Sequence, residues 1–121
     1  MNKAEILRLV DEVELPGLKC GDFKTFTDVW MVRIDNKIYV RSGQYVPRNS
    51  WYHAFVEKGE GWIKVGNEIA EVTAGIPKDP TVINKLVDDA YLLKYGAKYP
   101  ELVPGILRKS LQDYTMEFEL K

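Results

Sequence analysis

Alternating apolar and polar residues between positions 28 and 42 give the clearest strand signal in the chain. The turn-forming run Asp35-Asn36-Lys37 interrupts this stretch, so the pattern predicts an antiparallel hairpin. We expect a three-residue connection with Ile34 opposite Ile38, which places four apolar side chains on one face: Val32, Ile34, Ile38 and Val40. A slip of one residue would send half of this set to the opposite face.

A second hairpin is predicted between positions 61 and 72. Gly66 and Asn67 supply a turn that tolerates positive φ. A loop of two or four residues puts the flanking apolar side chains on one face: Ile63, Val65, Ala70 and Val72. Strict alternation from Tyr114 to Leu120 predicts one further half-buried strand near the end of the chain.

Helical periodicity is found before the first of these strands and between the second hairpin and the final strand. Asn2 is a candidate cap with Glu5 three residues later, followed by an apolar stripe that ends at Leu15-Pro16-Gly17. Asp79-Pro80 starts a longer helix that ends near Gly96. Its apolar stripe contains Ile83, Leu86, Val87, Ala90 and Leu93. This stripe predicts a solvated opposite side made of Asn84, Lys85, Asp88 and Asp89. Residues 99 to 109 hold one or two further helical turns.

The order of elements is a helix, four or more strands, helices and a final strand. Hairpin connections imply antiparallel pairing, and about six short strands close into a barrel more readily than they lie flat. With 121 residues and no repeat or linker, the chain is expected to be a single domain over 1–121. The predicted fold is α+β.

Composition narrows the classes of function. A formal charge of −1 argues against nucleic acid and anionic membrane as partners. No apolar run approaches the roughly 20 residues of a membrane span, and the N-terminus lacks a signal peptide, so a cytoplasmic location is expected. Cys20 and His53 are the single cysteine and histidine, so neither a disulfide within the chain nor a metal site of several such ligands is expected.

The strand that ends at Ser42-Gly43 is the best candidate for ligand binding. A strand that ends in Ser-Gly leaves main-chain N–H groups to a ligand, and glycine allows close approach. Arg41 and Arg48 flank the following loop and could hold a phosphate through paired N–H donors. The adjacent aromatic residues Trp51 and Tyr52 offer flat faces to a ring system.

A structural role is the alternative for each of these side chains. A strand arginine is more often a surface residue, and paired aromatic residues are as often part of the core. His53 beside aromatic residues is more often a hydrogen-bonded structural group than a general base. Paired carboxylates, a serine elbow and a phosphate-loop lysine motif are missing from the sequence. The catalytic residues therefore stay unassigned.

The sequence resembles a family of small proteins of unknown function that is grouped with the FMN-binding split barrels. The matching features span about two-thirds of the chain in the family's order. They are Val29-Trp30-Met31-Val32-Arg33, Tyr39-Val40-Arg41-Ser42, Trp51, the hairpin from Gly61 to Val72, Ala90-Tyr91 and Lys94-Tyr95-Gly96. The resemblance implies a small antiparallel split β-barrel with an N-terminal helix and helices between the later strands.

A more distant similarity is to the deazaflavin-dependent nitroreductases, which are also split barrels. Ser42-Gly43 and Trp51-Tyr52-His53 match the pattern of that family. The sequence departs from the pattern at three positions and in its final strand, where Tyr114-Thr115-Met116-Glu117-Phe118 replaces the family's Ile-Pro-Val-Val-Val-like run. Asn49 stands in place of a proline, Ala54 in place of an asparagine, and Gln44 in place of the second glycine of the loop.

These resemblances imply a cofactor-dependent oxidoreductase that binds FMN or a deazaflavin and assembles as a homodimer. Arg41, Ser42 and Arg48 would contact the phosphate side, with Gly43 in the same loop. Trp51 and Tyr52 would line the ring or ribityl chain, with His53 beside them. The alternative is a non-enzymatic barrel that binds haem, another metabolite or a protein partner.

Overall fold

The computed structural model describes residues 2–21, 23–42 and 50–121. Five helices lie in these residues: Lys3–Glu12 (α1), Trp51–Lys58 (α2), Pro80–Tyr95 (α3), Val103–Ile106 (α4) and Lys109–Gln112 (α5). Seven strands accompany them: Gly17–Cys20 (β1), Thr27–Asp28 (β2), Met31–Ile34 (β3), Lys37–Arg41 (β4), Glu60–Val65 (β5), Glu68–Gly75 (β6) and Thr115–Leu120 (β7).

The strands form one antiparallel sheet in the order β2-β1-β5-β6-β7-β4-β3. Its two outer strands, β2 and β3, are separated in sequence only by Val29 and Trp30. The chain therefore passes directly from one edge of the sheet to the other, which requires the sheet to curl until its edges approach. The sheet is a curled half-barrel, and the predicted α+β split-barrel fold is confirmed.

Two apolar cores lie on opposite faces of the sheet. The larger one fills the concave side, where α1 and α2 contribute Ile6, Val10 and Phe55, and where Cys20 is fully buried. The smaller one lies between the β3–β4 hairpin and α3 and contains Val87 and Tyr91. In the described residues, no helix has the length and hydropathy to cross a membrane.

The predicted register of the first hairpin is wrong by one residue. Its connection has two residues, Asp35 and Asn36, and Asp35 adopts a left-handed conformation with φ of 54° that aspartate tolerates better than most residues. Ile34 therefore lies opposite Lys37 and not opposite Ile38. Met31, Ile38 and Val40 face the larger core, whereas Val32 and Tyr39 face α3.

The physical reason is that this hairpin is buried on both faces. When apolar side chains are required on both sides of a strand, alternation no longer distinguishes one register from the next. The short turn then decides the pairing.

The solvated side predicted for α3 is also partly wrong. Asn84 is buried and Asp88 is half-buried, while Leu93, assigned to the apolar stripe, is 89% exposed. A cluster of polar groups at Arg41 draws the polar residues of α3 inward. The helical periodicity could not predict this, because it assigns the apolar residues of α3 to the buried face and the polar residues to the solvated face.

The other predicted elements are confirmed. The side chain of Asn2 accepts a hydrogen bond of 2.9 Å from the N–H of Glu5 and caps α1. Gly66 and Asn67 form a two-residue turn in the second hairpin, with Ile63 opposite Ala70. The final strand is β7, and α4 and α5 are the short turns expected before it. Helix α2 was not predicted.

Candidate functional site

The end of β4 and the start of α2 lie at one end of the barrel. Ser42 follows β4, is buried, and donates its main-chain N–H to the carbonyl oxygen of Tyr114 at 3.0 Å. Tyr114 in turn lies directly before β7. Ser50 is the residue before α2, and its side chain makes no capping hydrogen bond to the helix. The first turn of α2 thus points main-chain N–H groups towards this end of the barrel.

Trp51 and Tyr52 begin α2 and belong to the larger core. Trp51 is 9% exposed and packs edge-on against Tyr52 and Phe55, with ring centroids 6.0 and 6.4 Å apart. Tyr52 is 6% exposed, and its hydroxyl donates to the carbonyl of Asp113 at 3.1 Å. Burial raises the pKa of Tyr52, so its hydroxyl stays protonated. These two nearly buried residues hold α2 in the barrel.

His53 is half-buried in the first turn of α2. Its Nδ1 lies 3.1 Å from the hydroxyl oxygen of Ser50, within hydrogen-bonding distance. The imidazole also packs edge-on against Tyr52, with centroids 5.6 Å apart. These contacts fix the orientation of the ring and leave Nε2 as the nitrogen for a further partner.

Tyr114 is a member of this cluster that the sequence assigned only to a strand face. It is half-buried and packs edge-on against Tyr52 at a centroid distance of 5.3 Å. Its carbonyl anchors Ser42. The signal in the sequence was limited to an aromatic residue at the start of a strand, and only the β4–β7 pairing brings it beside α2.

Arg41 points away from this cluster, into the space between the sheet and α3. It is 3% exposed, and its guanidinium donates to three side chains on β7 and α3: Thr115 at 2.9 Å, Asn84 at 3.2 Å and Asp88 at 2.5 Å. The carbonyl oxygens of Ile106 and Asn84 accept further bonds at 3.0 and 3.5 Å. These contacts occupy all five N–H donors of the guanidinium group.

The partners of Arg41 are themselves connected. The other carboxylate oxygen of Asp88 accepts a bond of 3.2 Å from the Gln112 side chain, and Thr115 donates to Asn84 at 3.2 Å. The network therefore joins β4, β7, α3 and α5 through buried polar groups. Such a network is stable because each member has a partner.

Three further side chains of α3 bind main-chain groups of β4, of β3 and of Trp30 just before β3. Tyr91 accepts the main-chain N–H of Arg41 and donates to the carbonyl of Trp30. Tyr95 accepts the N–H of Met31 at 3.1 Å, and the Lys94 ammonium donates to the carbonyl of Met31 at 2.6 Å. The motifs Ala90-Tyr91 and Lys94-Tyr95-Gly96 are thus explained by structure: they pair with main-chain groups at the edge of the sheet.

The structure brings four of the seven predicted site residues together. Ser42, Trp51, Tyr52 and His53 lie at one end of the barrel, while Arg41 lies on the opposite side of β4. Gly43 and Arg48 fall outside the described residues. A phosphate-binding role for Arg41 stays a prediction that would require its present bonds to be exchanged. Among the described residues, histidine, cysteine and carboxylate side chains form no group of three suited to a metal ion.

Comparisons with known proteins agree with this architecture. The sequence model of a bacterial family, described as uncharacterised proteins conserved in bacteria (DUF2255), matches residues 8–118. No curated protein shows significant sequence similarity to the chain.

Two of the solved structures that are similar to this chain are compared with it by fold similarity and sequence identity. One is a protein from Listeria innocua whose name places it, provisionally, among the pyridoxamine 5′-phosphate oxidases. It has a TM-score of 0.59 and 9% identity, and the match covers 98% of this chain and 91% of that one. The other is an FAD- and haem-binding protein from Mycobacterium smegmatis. It has a TM-score of 0.48 and 9% identity, and the match covers 97% of this chain and 64% of that one. At 9% identity, the similarity to the Listeria innocua protein shows that the two chains share a fold and shows nothing about function.

Proposed function

We propose that this chain, which belongs to the bacterial family DUF2255, binds a flavin-type cofactor where β4 leads into α2. The observation that carries the proposal is the convergence of Ser42, the first turn of α2 and Tyr114 at one end of the barrel. Main-chain donors, a hydroxyl, an imidazole and aromatic rings meet there, and this combination suits a ligand with an anionic tail and a flat head.

The phosphate side of the cofactor is assigned to the start of α2. Helix N-termini favour anions because their first N–H groups have no partner within the helix. The hydroxyl of Ser50 and the imidazole of His53 lie at the same place, 3.1 Å apart. Arg48 and Gly43, which the sequence assigns to the same group, complete the proposed phosphate contacts.

The ring side is assigned to Tyr114 with the exposed edges of Trp51 and Tyr52. Tyr114 and His53 are half-buried, whereas Trp51 and Tyr52 are nearly covered by the core. In this proposal the flavin ring therefore has a larger contact area with Tyr114 and His53 than with Trp51 and Tyr52. FMN and a deazaflavin share this tricyclic shape, so the same residues suit either.

A bound flavin or deazaflavin would supply the hydride or electron transfer of an oxidoreductase. The chain's own residues would bind and orient the cofactor and exclude water from one face of it. The resemblance to split barrels also motivates a homodimer as the binding form, which sedimentation with and without FMN would test.

Haem is the alternative that His53 favours. An imidazole whose Nδ1 is held by a hydroxyl is oriented for ligation through Nε2, the arrangement that iron ligands commonly use. Binding of haem to the wild-type protein but not to His53→Ala, with no binding of flavins, would assign this function in place of the first.

The decisive experiment is a titration of the purified protein with FMN and, separately, with a deazaflavin, followed by fluorescence and melting temperature. We expect saturable binding and a rise in melting temperature with at least one of them. His53→Ala and Tyr114→Leu should weaken that binding about 5- to 150-fold, as expected for contacts of ~1–3 kcal/mol. Tyr99→Leu, a tyrosine outside the cluster, is the matched control.

Failure of both titrations with a folded wild-type protein would overturn the flavin proposal. Equal losses in Tyr114→Leu and Tyr99→Leu would leave cofactor binding in place and overturn the assigned site.

A further inference from the structure

A second cleft lies between α1, β3 and α3 and shares no residue with the proposed cofactor site. It has a volume of about 530 Å³ and is lined by Asp11, Val32, Arg33, Ala90, Leu93 and Lys94. Three of these residues are apolar, and the other three carry charge: the carboxylate of Asp11, the guanidinium of Arg33 and the amine of Lys94. A concave site with a few convergent polar groups is the usual form of a small-ligand site.

The amine of Lys94 is held firmly at this cleft. Its Nζ donates to the carbonyl oxygens of Val10 and Met31, both at 2.6 Å, and lies 4.9 Å from the ring centroid of Tyr95. A neutral amine has two hydrogens, and both are directed at these carbonyls. Its lone pair is therefore directed away from them, as attack on a ligand requires.

Burial also favours the neutral form of this amine. Desolvation lowers the pKa of Lys94 to about 8, although the nearby carboxylate of Asp11 acts in the opposite direction. Arg33, on β3, binds Asp11 with bonds of 3.0 and 2.5 Å and so neutralises much of its charge. At pH 7.5 an amine of pKa about 8 is about one-quarter neutral, whereas an ordinary lysine is neutral in about one molecule in a thousand.

Arg33 gives the cleft a preference for an acid. Two of its N–H donors bind Asp11 and a third binds the carbonyl of Asp35 at 3.0 Å. Among its contacts with the described residues, one N–H on each terminal nitrogen is left to donate to a ligand oxygen. Two such donors suit a carboxylate or phosphate group.

We propose that Lys94 forms an imine with a small aldehyde that carries an acidic group, and that Arg33 binds that group. The Nζ lone pair attacks the carbonyl carbon, and the carbonyl oxygen leaves as water after accepting one proton from the amine and one from solvent. The new carbon–nitrogen double bond replaces the carbon–oxygen double bond, so no oxidant or reductant is consumed. The protonated imine keeps one N–H, which still reaches Val10 or Met31.

The test compares two lysines of α3 in the same wild-type sample. The folded protein is treated at pH 7.5 with glyoxylate and cyanoborohydride, which reduces the imine to a stable secondary amine, and digested for mass spectrometry. Lys85 is the internal reference because its side chain is 80% exposed on the same helix. We expect Lys94 to be labelled at least about tenfold faster than Lys85, since lower basicity offsets part of the gain from its neutral fraction.

Acetaldehyde, which lacks the acidic group, tests the role of Arg33. The ratio of Lys94 to Lys85 labelling should fall several-fold with acetaldehyde. In Arg33→Gln, where Asp11 is also left unpaired, the ratios for glyoxylate and acetaldehyde should become equal. Labelling of Lys94 no faster than Lys85 would overturn the proposal. Equal ratios for the two aldehydes in the wild type would overturn the acidic class of ligand. Both readouts are independent of flavin binding, so this proposal and the proposed function succeed or fail separately.

Discussion

The phenolic oxygen of Tyr91 accepts a hydrogen bond of 2.9 Å from the main-chain N–H of Arg41. The same hydroxyl donates to the carbonyl of Trp30 at 2.8 Å, and the Tyr91 side chain is fully buried. One tyrosine thus satisfies main-chain groups of two segments that the sheet itself leaves unpaired. Helix α3 is fixed to the barrel by polar contacts as well as by apolar packing.

We expect Tyr91→Phe to lower the free energy of unfolding by about 1–3 kcal/mol, because it leaves a buried N–H and a carbonyl without a partner. Urea denaturation of both proteins measures the difference. Tyr99→Phe is the matched control, since Tyr99 bonds to the partly exposed carboxylate of Glu14 and should lose less than about 1 kcal/mol. Equal losses in the two variants would contradict a special role for Tyr91.

Removing the Arg41 side chain is expected to lower the free energy of unfolding more than removing the Tyr91 hydroxyl does. Arg41→Met should lower the free energy of unfolding by about 3 kcal/mol, because it leaves Asp88 and Asn84 without their buried donor. Arg8→Met removes an exposed arginine that pairs with Glu12 and should cost less than about 1 kcal/mol.

Two further substitutions, Arg41→Lys and Asp88→Asn, test the cofactor role that the sequence assigned to Arg41. Asp88→Asn disturbs the network without removing the guanidinium group. If Arg41 also bound a phosphate, Arg41→Lys would weaken FMN binding at least about tenfold more than Asp88→Asn does. We expect equal effects of the two substitutions on FMN affinity, measured in folded protein.

Gly61 is a position where the packing excludes any side chain. A Cβ there would lie 2.4 Å from the carbonyl oxygen of Lys19 and 2.6 Å from the ring of Phe55. Gly61→Ala should therefore destabilise the protein by about 1–3 kcal/mol. Gly75, on the neighbouring strand, has no atom within 4 Å of such a Cβ, and Gly75→Ala should be neutral or slightly stabilising. Thermal melts of the pair measure the contrast, and a neutral Gly61→Ala would refute the close packing of α2 on β5.

The stability of the protein should rise with pH above about 8. Burial lowers the pKa of Lys94 to about 8, so between that value and its ordinary pKa the unfolded chain binds more protons than the folded one. Above about pH 10 the sign reverses, because burial raises the pKa of Tyr95 to about 12 and the unfolded chain loses those protons first.

Denaturation at pH 7.5 and 9.5 measures this effect. Since Lys94 keeps some contact with solvent, we expect the wild type to gain only about 1 kcal/mol relative to Lys94→Met. A wild type that gains nothing relative to the variant would show that the Lys94 amine is protonated throughout this range.

Local patterns determined much of the architecture. The cap at Asn2, the turn at Gly66 and the helix start at Pro80 depend on residues close in sequence, and the structure has each of them. Alternation in the final strand also predicted its buried face, because one side of β7 faces the core and the other is more open.

Tertiary structure decided the features that depend on what packs against each face of a strand or helix. The register of the first hairpin was set by a two-residue turn, since apolar residues on both faces made two registers equally compatible with the pattern. The inward side of α3 was set by Arg41, which only the folded sheet brings to Asn84 and Asp88. Whether an arginine faces a ligand or the protein depends on which partners surround it, and those partners lie more than forty positions away in the sequence.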